Sequence, residues 1–368
     1  MSELGDHRRE VSFCAYCPKL CRFSCPVSEA DKKETHTPWG KMTAAFHHLQ
    51  DTRPLDASTG EAIYACTGCL RCKSHCRHGN EVGPALFDAR AEAVKTGVAP
   101  EAVARLRARF ALGSPFGVDL AARAAALSRQ AEGREYFPGC TAIVKSPETV
   151  NAALSASSGL GVNLAVGPAA GKCCGYPLWA AGLHDEFEAH AKALARSTED
   201  LEELVVGDPG CAYTMVKGYA EAGVTLAPKV VLLVDLLAER LDQAVGRAPL
   251  PLEVSYHDAC HLGRGLGVYE TPRRLLRAAA GEFTEAAERR ADAGCSGGGG
   301  ILPRTMPETA IEIARKQADE LGSAKGSGRT VVTACPAARR MFEKSGAEAL
   351  DLYTVLARWI GAPSPKDP

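Results

Sequence analysis

The amino-acid sequence predicts an α plus α/β protein: a small all-helical N-terminal module, then two related α/β units whose sheets are open and mostly parallel. Three observations predict it. Eight cysteines crowd into two short segments between residues 14 and 76, with helix-forming sequence between and after them. Beyond residue 134 the chain repeats itself loosely at an offset of 120 to 124 residues. Within each repeat, short β-branched runs ending at a cysteine turn alternate with helical stretches, the pattern of a parallel sheet with its sites at the carboxyl ends of the strands.

The N-terminal module carries "CAYCPKLCRFSCP" at 14–26, which packs Cys14, Cys17, Cys21 and Cys25 too densely for cysteine to be an apolar filler. Disulfides, zinc or an iron–sulfur cluster are the candidates. The first residues, "MSELGDHRRE", put charges where a signal peptide has its apolar core, and the longest aliphatic run, "VVLLV" at 230–234, is stopped by Asp235. The expectation is a cytoplasmic chain without a transmembrane segment, in which fifteen cysteines are ligands or catalysts rather than disulfides. A formal net charge of −1 gives no basic surplus for nucleic acid or an anionic membrane.

The second group, "CTGCLRCKSHC", sets Cys66, Cys69, Cys72 and Cys76 at C-x2-C-x2-C-x3-C, the spacing of ferredoxins. Structural zinc takes two separated C-x2-C pairs, whereas four crowded thiols per segment suit four-iron cubanes. Two [4Fe–4S] clusters are therefore expected. By analogy with two-cluster ferredoxins the groups pair crosswise: Cys14, Cys17, Cys21 and Cys76 on one cluster, Cys66, Cys69, Cys72 and Cys25 on the other. Pro26 follows Cys25 as in ferredoxins, but Arg77 follows Cys76, and the first group has one extra residue between its second and third cysteines. His75 and His78 are read as solvated or supporting side chains. "PWGKMTAAFHHLQ" and "PALFDARAEAVKTG" read as helices, so residues 1–99 form a helical two-cluster module, and the Ala/Arg-rich residues 100–133, broken by "GSPFG", form a helical connector.

Residues 134–246 and 247–368 are the two repeats. "EYFPGC" (135–140) answers "VSYHDAC" (254–260), "GKCCGYP" answers "AGCSGGGG", and "VVGDPGCAYTM" answers "VVTACPAARRM". The apolar "VVLLVDLLAERL" (230–241) answers "LDLYTVLARWI" (350–360), and both are expected to be helices. "GRGLG" at 263–267 and "GGGG" at 297–300 lack the spacing and helix entry of a dinucleotide loop and are read as tight turns that let backbone approach a cluster or partner. Asp258, Arg264 and Glu270 are expected to make local structural contacts.

This order of a lone Cys, then "CCG", then "PGC" or "ACP" resembles the cysteine-rich CCG domain of heterodisulfide reductase catalytic subunits. With the ferredoxin module ahead of it, the whole layout is similar to the fused D subunit and to the iron–sulfur subunits of anaerobic glycerol-3-phosphate dehydrogenase, glycolate oxidase and lactate-utilisation systems; "YHDACHLGRGLGVYETPRRLL" at 256–276 is the most specific stretch. The resemblance implies five cysteines per complete unit around a non-cubane [4Fe–4S] cluster. The first unit keeps Cys140, Cys173, Cys174 and Cys211 with Thr214 in the fifth place; the second keeps Cys260, Cys295 and Cys335 with Ser296 and Ala338 where cysteines belong. A third cluster is expected in the first unit, its alternative being a vestigial fold with inert thiols. The second, where His257 or His261 would have to complete a set, is read as vacant or structural. The expected function is an electron-transfer subunit serving a flavoprotein dehydrogenase or a membrane, quinone-reactive subunit; the alternative is a disulfide or heterodisulfide reductase acting at the first unit.

Overall fold

The computed structural model describes residues 3–127, 133–324 and 326–361. The first two residues, residues 128–132 of the expected connector, residue 325 and residues 362–368 of the second repeat lie outside the described residues. Helices make up the first part: Arg8–Tyr16, Pro38–Leu49, Ala57–Tyr64 and Val82–Lys95 pack around Val11, Met42, Ile63 and Leu86, each at most 1 % exposed. Thr37 starts one of these helices by accepting from the Gly40 amide, and Pro38 follows it at the first helical position, where a missing N–H costs nothing. "GSPFG" falls, as expected, between the helices Glu101–Phe110 and Leu120–Ala125.

Two four-stranded sheets follow. The first comprises β1 (Arg134–Phe137), β2 (Leu164–Ala165), β3 (Glu203–Val206) and β4 (Lys229–Leu232); the second comprises β5 (Val254–His257), β6 (Thr284–Glu285), β7 (Thr330–Thr333) and β8 (Ala349–Asp351). The orders are β2-β1-β3-β4 and β6-β5-β7-β8, and every pairing is parallel. The two sheets thus share one topology, as the sequence repeat requires. The order reverses between β1 and β3, and again between β5 and β7, which opens a crevice beyond the carboxyl ends of those strands.

The expected helices at 230–241 and 350–360 need correction. Their first residues are strands, β4 and β8, and only Leu233–Ala238 and Leu352–Ile360 are helical. Val230 and Val231 pair with Leu204 and Val205 of β3, so the edge of a sheet claims side chains that a continuous apolar run leaves ambiguous between strand and helix.

One buried cation ties the three parts together. Arg90, on the helix Val82–Lys95, is 0 % exposed. It donates to the carbonyls of Ile63, Tyr64 and Cys66 in the helical module, of Ala180 in the first α/β unit, and of Gly300 in the second. Among the described residues no helix is long and apolar enough to cross a membrane.

Candidate metal centres

None of the fifteen cysteines is in a disulfide. The fold sorts the eight N-terminal ones into two neighbourhoods. Cys25, reached where the chain turns into the helix Pro26–Asp31, lines one small cavity with Cys66, Cys69 and Cys72. Cys14, Cys17, Cys21 and Cys76 form the other: burial, helped by the neighbouring thiols, pushes Cys14 up to about 11 and Cys21 up to about 12. Cys72 is pushed up too, by burial and then by Cys69, Cys66, Cys21 and Cys25, so the two neighbourhoods are within electrostatic reach of each other. The chain brings together the same fourfold groups that the ferredoxin analogy pairs.

The surroundings of the sulfurs test whether an iron–sulfur group fits. Crowded buried thiols resist ionisation unless a cationic core shares the charge. Donors aim at the sulfurs in each place: the Lys41 ammonium at Cys25 (3.3 Å), the Gly68 amide at Cys66 (3.4 Å), Asn80 Nδ2 at Cys14 (3.4 Å), the Gly175 amide at Cys173 (3.4 Å) and the Gly297 amide at Cys295 (3.3 Å). Such bonds suit sulfurs that carry negative charge, as cluster ligands do. Among the described residues no three His, Cys, Asp or Glu side chains converge closely enough for a single metal ion. The residues fit.

In the first α/β unit, Cys140 follows β1, Cys173 and Cys174 follow β2, and Cys211 follows β3, so all four meet at the switch point. Cys140 Sγ lies 3.5 Å from Cys173 Sγ. Gly139 must be glycine here: its φ is +88°, and a Cβ would sit 3.0 Å from Asp208 Cβ and 3.2 Å from Cys211 Sγ. Hydrogen bonds from Cys173 and Cys211 hold Cys174 well below the usual thiol range, while Cys173 and Cys211 are pushed up. Burial and the charge of Cys174 push the Asp208 carboxyl up to about 7. His190 donates to the Cys173 carbonyl (2.6 Å) and the Tyr219 hydroxyl to that of Cys174 (3.0 Å), which fixes the turn. Thr214 gives its hydroxyl to the Gly210 carbonyl (2.7 Å), where a π turn, Thr214–Gly218, replaces regular helix.

The second unit lies against the other cysteine loop. Cys295 Sγ donates to Thr67 Oγ1 (3.6 Å), and its hydrogen bond to Cys69 holds Cys69 well below the usual thiol range and raises Cys295. Gly299 and Gly300 pass so close to Thr67 and Cys66 that a Cβ would stand 2.3 and 2.1 Å from their carbonyl oxygens. His261 Nε2 reaches the Gly68 carbonyl (3.3 Å) and its ring stacks on Tyr213 at 4.5 Å. His257 Nδ1 pairs with Thr333 Oγ1 (3.2 Å), and burial pushes both histidines down to about 4. Arg264 is a correction: instead of local contacts it donates to the Cys69 carbonyl (2.7 Å), 195 residues away in sequence, as well as to Ala291 and Ala293. Asp258 and Glu270 do stay local, Asp258 in a buried bidentate pair with Arg273 and Glu270 with Arg290. His75 meets Phe23 edge-on and His78 stacks on Phe13.

Between the two α/β units lies a cavity of about 480 Å³. Cys140, Cys174 and Cys211 face it from one side, and Cys260, Cys295 and Cys335 from the other. Arg109, Lys145, Arg304, Arg340 and Lys344 also line it, against the single carboxylate of Asp208.

The sequence reading missed Lys41, Asn80, Arg90 and the reach of Arg264. Lys41 left one signal, a lone cation among mostly apolar residues in a helical stretch, whereas Arg90, flanked by Asp88 and Glu92, left none.

The family model of the 4Fe–4S dicluster domain matches residues 10–80, and that of the cysteine-rich CCG domain matches residues 135–216 and 254–343. The chain is 29 % identical to the B subunit of fumarate reductase (CoM/CoB) from Methanothermobacter marburgensis over 86 % of its own length, and spans 64 % of that relative. It is 25 % identical to the D subunit of dihydromethanophenazine:CoB–CoM heterodisulfide reductase from Methanosarcina barkeri over 81 % of this chain and 78 % of the relative. Lactate utilization protein A of Oceanobacillus iheyensis is 27 % identical over 43 % of this chain and 68 % of the relative.

Proposed function

Since this chain belongs to the CCG-domain iron–sulfur proteins, we propose that it is an electron-transfer subunit with three cluster sites. Cys14, Cys17, Cys21 and Cys76 hold the first [4Fe–4S] cluster, and Cys25, Cys66, Cys69 and Cys72 the second. Cys140, Cys173, Cys174 and Cys211 hold the third, a non-cubane group. When bound, these groups supply one-electron transfer. The protein accepts electrons from, or delivers them to, a partner dehydrogenase or a membrane, quinone-reactive subunit that does the bond-making. One observation carries this reading: thiol groups succeed one another from the partly exposed Cys17 and Cys21, through Cys72 and Cys69, to the cavity between the α/β units. The relatives named as reductase subunits support it. Anaerobic purification followed by iron, sulfide and EPR analysis tests it, with about eight to twelve irons per chain expected from two or three four-iron groups. Zinc with little sulfide would overturn it.

The cavity favours a second reading, disulfide reduction at the first unit. Its thiols come from both units and its cations suit an anionic disulfide. Against this, Thr214, Ser296 and Ala338 stand where complete units have cysteine, and hydroxyl and methyl groups do not replace thiolates at iron. Reduced protein is expected to pass electrons to a one-electron dye and to cleave low-molecular-weight disulfides slowly or not at all. Rapid cleavage would make the second reading the better one.

A further inference from the structure

Among the described residues eight large apolar side chains are markedly exposed, and four of them, Phe13 (42 %), Tyr16 (81 %), Leu20 (61 %) and Phe23 (61 %), fall in one eleven-residue stretch. That stretch also carries Cys14, Cys17 and Cys21. The loop of Cys76 joins the same face, because His78 stacks on Phe13 at 4.9 Å and His75 meets Phe23 at 4.8 Å. Exposed apolar residues scattered singly need no explanation; a contiguous group around one site marks a binding surface. The face is also basic. Residues 8–23 and 71–78 carry seven Arg or Lys and one carboxylate, Glu10; four of the seven are paired with carboxylates from outside these segments and Asp292 lies 3.7 Å from His75, so the surplus is modest and rests on Arg8, Arg9 and Arg77. Glu34, Glu81 and Glu288 answer Lys19, Arg22, Lys73 and Arg71, while Arg9 lies over the Phe13 ring at 5.4 Å.

We infer that this face docks an acidic one-electron carrier protein, which exchanges electrons with the group held by Cys14, Cys17, Cys21 and Cys76. The inference rests on the proposed electron-transfer reading and adds to the partner named there a separate carrier protein, with its place and charge. The aromatic rings supply desolvated contact area, and the basic surroundings steer an acidic surface onto them. Each transfer moves one electron and no atom: with a reduced flavodoxin, the hydroquinone anion becomes the neutral semiquinone and this protein gains the electron.

The test uses the full anaerobically purified chain and an acidic flavodoxin as the probe. Binding is measured by calorimetry with oxidised flavodoxin, and electron transfer by stopped flow with its hydroquinone. The expected result is saturable binding that weakens with salt. Tyr16→Ser and Arg9→Glu should each weaken it at least tenfold, while Val245→Ser, exposed but remote in sequence, leaves it unchanged. Reduction by methyl viologen, too small to need a docking face, should keep its rate in all variants. Unaltered binding in both face variants, or no binding by the unaltered chain, would overturn the inference. So would sedimentation showing that the face joins two copies of the chain. Iron and sulfide analysis on the same samples separates this outcome from failure of the cluster reading, because calorimetric binding does not require electron transfer.

Discussion

Lys41→Met should lower the reduction potential of one N-terminal cluster and leave the other unchanged. Lys41 is 1 % exposed, and its ammonium donates to Cys25 Sγ at 3.3 Å. Burial by itself would push its pKa down; the charges of Cys25, Cys66 and Cys72 outweigh burial and hold it above the usual lysine value, so the group stays charged. Reduction adds one negative charge to the ligand set, and an ammonium at hydrogen-bond distance favours that state. A hydrogen bond involving a charged group is worth about 1.5–3 kcal/mol, and a Coulomb attraction of about 4 kcal/mol at 4 Å in an effective dielectric of 20 sets the ceiling. At about 59 mV per tenfold change for one electron, the bond converts to a fall of about 65–130 mV. Methionine keeps the length and apolar stem, so the pocket stays filled. EPR-monitored redox titration under anaerobic conditions is the assay, and Lys41→Arg, which keeps the charge, should restore most of the potential. Two unchanged potentials in Lys41→Met with full iron content would refute the reasoning.

Cys174→Ser makes the first α/β unit resemble the second and should remove the third EPR signal while the N-terminal signals remain; unchanged spectra and iron content would show that this unit holds no cluster. Arg90→Met strips donors from five buried or partly buried carbonyls; at about 1 kcal/mol for each acceptor left unpaired, chemical denaturation should show a loss on the order of 5 kcal/mol. Asp351 Oδ1 accepts from the Tyr353 amide (2.9 Å) while Oδ2 is buried without a partner, and burial raises the carboxyl to about 7. Below pH about 4 it is protonated folded or unfolded, whereas between 4 and 7 only the folded chain keeps the proton, so its contribution to stability falls as pH rises through that window. Asp351→Asn should therefore raise the thermal midpoint at pH 8 and flatten the slope between pH 4 and 7; an equal slope in both proteins would show that Asp351 is not responsible.

What was legible in the sequence is what chemistry places close together along the chain. Cysteine quartets announce their ligand class because the spacing itself wraps a cluster, and the repeat announces two equal sheets because each copy must bury the same faces. The runs at 230–241 and 350–360 misled because an apolar run reads equally as strand or helix, and only the neighbouring strand decides where β4 and β8 end. Arg264 misled, and Arg90 passed unread, for a different reason. Their partners are set by how the units dock, with Arg264 reaching Cys69 across 195 residues and Arg90 reaching Gly300 across 210. A local reading assigns such a residue to its own loop.

The same docking explains how a unit with only three cysteines keeps its fold. Ser296 and Ala338 weaken any claim that the second unit holds a cluster, yet the residues around them are committed to the loop of Cys66 to Cys72: Gly299 and Gly300 against its backbone, Arg264 and His261 on its carbonyls, Cys295 on Thr67. The first unit is held as well, since the Tyr353 hydroxyl donates to the Gly207 carbonyl (3.1 Å) and Arg339 bridges to Glu148 and Thr149. A thiol can be exchanged for a hydroxyl or methyl without disturbing these contacts. The glycines cannot be exchanged, because any side chain would drive the second unit off the loop whose carbonyls and sulfurs it positions.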